Sequence, residues 1–338
     1  MPKIEKPVSI FNDNGKAIRF GWARAPLFVY DRTLLLVPRR RISEADRYII
    51  SSPTHLFVFE VADDGYLGYV SIHMVSLRDR KKLSKTFPSL FSLGSFEMPD
   101  SVEKGSVRLH RKQFIVDFIV MKSGARVIKV DIPRFDRHRT LRGEVVLIPP
   151  PHSESIATVM PWAKNNAFRY SVHAPHFSVE GVIQIGVTEI AFIKGNAWGV
   201  FGRVRGVRPN TDIRYWAAAC GASGGKQAGF SIGYDSADSR HGTENAFFLD
   251  GKLHKLDHVT FHISPTNWLL PWRFTSNNNR LEMVFTPEVE WTGSNRVLSY
   301  YSARKRFCGL FAGRVILDNG DPFEFKITGL AEKRKTRF

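Results

Sequence analysis

"GTENAFFLDGKLHKL", residues 242–256, sets a polar trio, Thr243-Glu244-Asn245, before an apolar run, then Asp250-Gly251, then a second apolar run. Asp-Gly between two such runs is the strongest short-range hairpin signal, because both central residues of the tight turn need positive φ. The stretch reads as strand, two-residue turn and strand. Side chains alternate across a strand, so Glu244 shares a face with Ala246 and Phe248, and Asn245 shares the other with Phe247. The turn explains Asp250-Gly251 but not a carboxylate at the mouth of so apolar a strand.

Outward from this hairpin the style repeats. "THLFVFEVADDGYLGYVSIHMVS" (54–76), "SVRLHRKQFIVDFIVMKSGARVIKVDIP" (106–133), "FRYSVHAPHFSVEGVIQIG" (168–186), "QAGFSIGYD" (227–235) and "FCGLFAGRVILDNGDPFEFKITGLAE" (307–332) are apolar, β-branched and aromatic runs broken by Gly, Asp, Asn or Pro. Short strands at a spacing of about ten residues indicate a sandwich or barrel. Helical periodicity is nearly absent. One short helix is expected around "SEADRYII" (43–50), where Ser43 can cap and Glu44 and Asp46 suit a first turn. "GEVVLIPPP" (143–151) ends in three prolines that cannot donate to a ladder, which places a unit boundary at 150. The expected fold is all-β, two tandem antiparallel β-barrel units over residues 1–150 and 151–338, each with about eight strands and room for one small ligand, as lipocalins have.

The chain of 338 residues carries 49 Lys and Arg against 32 Asp and Glu, a net +17. The excess is spread evenly, +9 over residues 1–160 and +8 over 161–338, so neither half is a dedicated basic domain. Clusters stand at "PRRR" (38–41), "RDRKK" (78–82), "RFDRHRTLR" (134–142), "ARKRF" (303–307) and "EKRKTRF" (332–338). They read as solvated turns and ends, with weak contact to an anionic surface as the alternative. No specific nucleic-acid motif is present. Cys220 and Cys308 are too few for a disulfide scaffold, and the start "MPKIEKPVSIFNDNGK" has no apolar stretch for a signal peptide. Charges or prolines interrupt every run that approaches the roughly 18 residues of a membrane span. A cytoplasmic protein with reduced thiols is expected.

Arg205, Asp238, Glu244 and Asn245, with His241 on the loop between, can converge on a cavity in the second half. A carboxylate in an apolar pocket has its charged form disfavoured, so Glu244 or Asp238 could act as a general acid. The plainer reading pairs both with Arg205 or with backbone N–H groups at a barrel rim. Trp216, followed by small residues in "RYWAAACG", and Trp272 suit the lining of a pocket for an apolar ligand, and suit a β core equally well. Among the 11 histidines no pair has metal-ligand spacing, and His173 and His176 in "HAPHF" lie on either side of a proline. No metal and no cofactor are expected.

"GWARAPLFVYDR" (21–32), "DDGYLGYVSI" (63–72), "RGVRPNTDIRYWAAACG" (205–221), "DSRHGTENAFFLDGKLHKL" (238–256), "PWRFTSNNNRLEMVFTP" (271–287) and "GLFAGRVILDNGDPFEFKITGLAEK" (309–333) come in an order that resembles the bacterial domain-of-unknown-function family 2804. That resemblance implies a tandem lipocalin-like protein, akin to the hydroxyneurosporene-synthase-like and fungal pericyclase-like double barrels. Where its pattern has Asp-Trp-Gly-Arg-Gly, this chain has Gly202-Arg203-Val204-Arg205-Gly206. If that aspartate is an acid in relatives, the chemistry here is altered. Three readings of function follow: a binder of an apolar or amphipathic small molecule, lipid or isoprenoid-like; a hydratase, isomerase or cyclase using a pocket carboxylate; and an electrostatic binder of nucleic acid or a membrane surface.

Overall fold

The computed structural model describes residues 1–163 and 166–337. Phe338, the last residue of the basic tail, lies outside them. Period-two alternation is plain in Lys82–Leu90, where exposed and half-buried side chains alternate residue by residue, as in a sheet with one face on a core. The strands form two curled antiparallel sheets. The first runs in chain order through Ile42–Ser51, His55–Asp63, Leu67–Ser76, Lys82–Leu90, Ser106–Arg111, Phe114–Val120, Arg126–Asp136, Arg139–Ile148 and Phe168–Ile185 to Trp198–Val207, which pairs back onto Ile42–Ser51. The second runs through Thr211–Ser223, Lys226–Tyr234, Ala246–Leu249, Lys252–Lys255, Val259–His262, Trp272–Ser276, Leu281–Val297 and Tyr300–Ile316 to Pro322–Arg337, which pairs back onto Thr211–Ser223.

Each sheet is thus an up-and-down ring with one unpaired seam among the described residues. In the first it lies between Lys82–Leu90 and Ser106–Arg111, in the second between Lys252–Lys255 and Val259–His262. The short strands Gly21–Ala23, Ile156–Pro161 and Thr188–Phe192 attach to the first ring, and Val8–Ser9 pairs separately with Phe28–Val29. The opening hairpin is where the sequence places it: Ala246–Leu249 and Lys252–Lys255 are joined by Asp250 and Gly251 at φ 48° and 78°.

Two expectations are corrected. The unit boundary falls between Val207 and Thr211 rather than at 150, because Phe168–Ile185 and Trp198–Val207 are needed to close the first ring. The prolines at 149–151 mark only a loop inside that ring. Residues 43–50 form a strand, Ile42–Ser51, not a helix. Its two ladder partners and its alternation, Tyr48 and Ile50 inward with Ile49 outward, outweigh a local capping signal.

Three cores result. Tyr48, Phe57, Phe59, Phe118 and Phe201 fill the first ring. Phe230, Phe247, Trp272, Phe285 and Phe311 fill the second, with the Phe285 and Phe311 rings stacked at 4.2 Å. The third lies between the rings: Ile49, Val58, Val75 and Val200 on outer faces of the first meet Trp216, Ala218, Cys220, Cys308 and Leu330 on outer faces of the second. Burying each large aliphatic side chain there stabilises docking by about 1.5–3 kcal/mol. Among the described residues no helix is long and apolar enough to cross a membrane.

Candidate functional site

The interface between the rings turns polar along the strands. On the outer face of the first sheet, His173, Gly202, Arg47 and Glu60 are successive cross-strand partners and form one row. On the second sheet Trp216, Glu332 and Arg306 form another. The rows face each other: Arg47 Nη2 donates to Glu332 Oε1 at 3.1 Å, Arg306 Nη2 to Glu60 Oε2 at 2.7 Å, and the Arg47 guanidinium lies 5.2 Å from the Trp216 ring centre. Burial pushes the Glu60 carboxyl up, but Arg304, Arg47 and Arg306 outweigh it and hold the group well below the usual carboxylate range.

Glu244 enters this layer from the loop before Ala246–Leu249. It shares a face with Ala246 and Phe248, as strand alternation requires, and that face looks toward the first ring rather than into the second. Arg214 Nη2 donates to both its oxygens, at 2.6 and 2.5 Å, and His173 Nε2 lies 3.1 Å from Oε2. Burial alone would raise the Glu244 carboxyl. Arg214, the His173 hydrogen bond and Arg169 instead hold it well below its ordinary value, so it is ionised and not a general acid. Burial lowers the His173 imidazole, which is therefore neutral. A neutral imidazole beside an ionised carboxylate places its proton on Nε2, leaving the Nδ1 lone pair free. Nδ1 is buried without a hydrogen-bond partner.

Gly202 explains how that atom is left open. A Cβ built at Gly202 would lie 3.0 Å from His173 Nδ1. A side chain at position 202 would thus stand beside His173, and glycine leaves the space clear. Two adjoining hollows open here. One is lined by His173, Gly202, Trp216, Arg47 and Glu332, the other by Trp162, Phe168, Val207, Pro209 and Arg169, with Ser43, Val204, Arg214 and Arg334 shared. Their innermost spaces hold about 50 and 60 Å³, and counted out to solvent their mouths span about 530 and 490 Å³. The inner spaces suit waters or a small head group. Burial, reinforced by Arg214, pulls Arg169 down to about 10; Arg169 pairs with Asp235, Arg214 with Glu244 and Arg334 with Asp64, and Asp212 also lines the mouth.

The residues singled out in the sequence do not converge as one set. Arg205 points into the first ring, where its Nη1 lies 2.9 Å from Asp46 Oδ1 and its Nε 3.9 Å from Glu44 Oε1; it is not the partner of Glu244. Asp238 is on the surface with exposed Arg240 at 2.6 Å, and His241 packs on Phe20 at 5.3 Å. Asn245 is structural, accepting from Gly233 N–H at 2.7 Å and donating to Asp257 O at 2.8 Å. Trp272 is core, its Nε1 donating to Trp268 O at 2.8 Å. Trp216 lines the hollow, with Nε1 donating to Ser231 Oγ at 3.0 Å. The carboxyl raised by burial is Glu44, inside the first ring, where Arg205 and Arg32 offset only part of the shift. His173 and Arg214 carry no local motif and are recognisable only from the pairing of strands distant in sequence.

No curated protein matches the chain. Solved structures of similar architecture include CghA, at 11% identity over 88% of this chain and 89% of that one with a TM-score of 0.48. A putative AttH from Nitrosomonas europaea matches at 14% over 87% and 92% with a TM-score of 0.49, and kievitone hydratase from Nectria haematococca at 8% over 88% of each with 0.49. The family model described as "Domain of unknown function (DUF2804)" matches residues 1–338, and the chain belongs to that family.

Proposed function

We propose that the protein binds a small amphipathic molecule with an acidic head group, in a reducing cytoplasmic setting, and that the site is the crevice between the rings rather than the interior of the second. The observation that carries this reading is the mouth itself, where Trp162, Phe168, Val204, Val207 and Pro209 stand beside Arg169, Arg214 and Arg334. Apolar walls with a few convergent polar groups are the usual make-up of a small-molecule site, and guanidinium groups suit a carboxylate or phosphate. The aromatic filling of the second ring argues against a ligand there.

Trp162 and Trp216 at the crevice make their fluorescence the readout. Dodecanoate is expected to quench it saturably and its methyl ester far less, with Val204→Phe, which fills the shared wall, weakening dodecanoate at least tenfold at an unchanged melting temperature. Equal response to acid and ester, or a response that Val204→Phe leaves intact, rules the reading out. A native mass spectrum of the purified protein would identify a retained ligand.

Proton transfer is a second reading, favoured by the unpaired Nδ1 of His173 beside Gly202. The base would be an imidazole oriented by Glu244 and Arg214, in place of a carboxylic acid.

A further inference from the structure

Three turns meet at one end of the molecule and hold large apolar side chains in solvent. Leu36 is 80% exposed, Phe91 49% and Leu298 73%, and Leu90 and Leu93 are exposed beside Phe91. These turns are physically joined. The Phe91 N–H donates to Tyr66 O at 2.8 Å and the Leu93 N–H to Gly65 O at 3.1 Å, while the Tyr66 and Phe91 rings lie 6.4 Å apart. Tyr66 and Val297, the residue before Leu298, pack on the same buried cluster of Ala62, Leu67, Tyr69 and Tyr300. A Cβ at Gly65 would lie 2.7 Å from the Arg40 backbone, and one at Gly94 would lie 3.1 Å from the Arg39 guanidinium, so the 36–40 turn rests on the same loops.

Phe91, Leu93 and Leu298 have φ of 52°, 46° and 51°. That region is uncommon for bulky residues but is what tight turns require, so the turns fix where these side chains stand. Around these tips stand the exposed Arg39, Arg40 and Arg296, with Glu97 the exposed acid of the 91–97 loop.

We infer that this end of the molecule docks on a lipid bilayer bearing anionic phospholipid. Isolated convex tips of leucine and phenylalanine offer no groove for a protein partner but can enter the boundary between head groups and acyl chains. Guanidinium groups at their base are placed for phosphodiesters, which they bind in bidentate fashion. The crevice would then open close to the membrane for an amphipathic ligand, although docking does not depend on that ligand.

The test is co-sedimentation of the full chain with vesicles of phosphatidylcholine alone and of phosphatidylcholine mixed with phosphatidylglycerol. Binding is expected to the mixed vesicles and to weaken as salt rises. Arg39→Gln with Arg40→Gln should lower partitioning about fivefold per charge, about 25-fold together. Phe91→Ser with Leu298→Ser should lower it about tenfold or more at an unchanged melting temperature, since both side chains are exposed. Lys226→Gln, at the start of Lys226–Tyr234 and at the far end of the second ring, should change nothing. Absence of binding to the mixed vesicles, equal binding to both kinds, or self-association of the chain without vesicle binding overturns the inference, as does partitioning that these tip variants leave intact.

Discussion

At the scale of single residues the charge on Glu244 is decided by its partners rather than by its burial. A buried carboxylate without a cation would be protonated; Arg214 and His173 make the ionised form the stable one. Glu244→Gln leaves Arg214 without its carboxylate, and breaking a buried pair costs about 3–5 kcal/mol, so a sharp drop in melting temperature is the expected outcome at neutral pH. Acid should act in the same direction. The folded carboxyl lies below its unfolded value, so its stabilisation is present above about pH 4.3 and is lost as pH falls toward the folded value. His173, and His176 lowered by burial to about 3, stay neutral when folded but take up protons when unfolded below about pH 6.5. Each removes up to about 1.4 kcal/mol per pH unit on the way down. Melting temperature should therefore fall steadily below pH 6.5; a profile flat to pH 4 would mean that these histidines are charged in the fold.

At the scale of elements, neighbouring backbones of the rings approach at particular glycines without room for a Cβ between them. Gly206 stands at φ 149°, and a Cβ there would lie 2.2 Å from Phe168 O on the adjacent strand. Gly206→Ala is expected to cost about 1–3 kcal/mol or more, seen as a lower urea midpoint with the slope unchanged. Gly293, where a Cβ would meet nothing within 4 Å, is the control, and its alanine variant should melt like wild type. The misread helix at 43–50 belongs to this scale as well. Ser43, Glu44 and Asp46 supply the residue types of a helix start, yet in a strand they divide between two environments. Glu44 and Asp46 face the first ring and its arginines, while Ser43 and Arg47 face the second ring.

At the scale of the molecule the docking of the two rings creates the crevice. Cys220 and Cys308 lie in the apolar part of that layer, and burial pushes the Cys220 thiol up to about 12 and Cys308 further. Thiol reactivity is set by thiolate and access, so both should resist maleimide in buffer and become reactive together as urea parts the rings. Rapid labelling of either one in buffer would show that the layer opens readily. The ion pairs beside them are better regarded as fixing how the rings sit, since buried pairs seldom add net stability over apolar packing.

Composition, strand periodicity and turn residues carried the fold class, because alternation and Asp-Gly or Asn-Gly turns are local signals with a local cause. The family blocks carried the relationship. The face of Glu244 was legible too, since parity along a strand needs no partner. Its chemistry was not, because Arg214 lies 30 residues away on another strand of the same ring, and His173 lies 71 residues away on the other ring and reaches it only when the two rings dock. The unit boundary was hidden for the same reason. Prolines at 149–151 are a local break, whereas closure of the first ring depends on Trp198–Val207 pairing with Ile42–Ser51, a contact that no local pattern encodes. A carboxylate's neighbours, and with them its charge and its use, are set by tertiary structure alone.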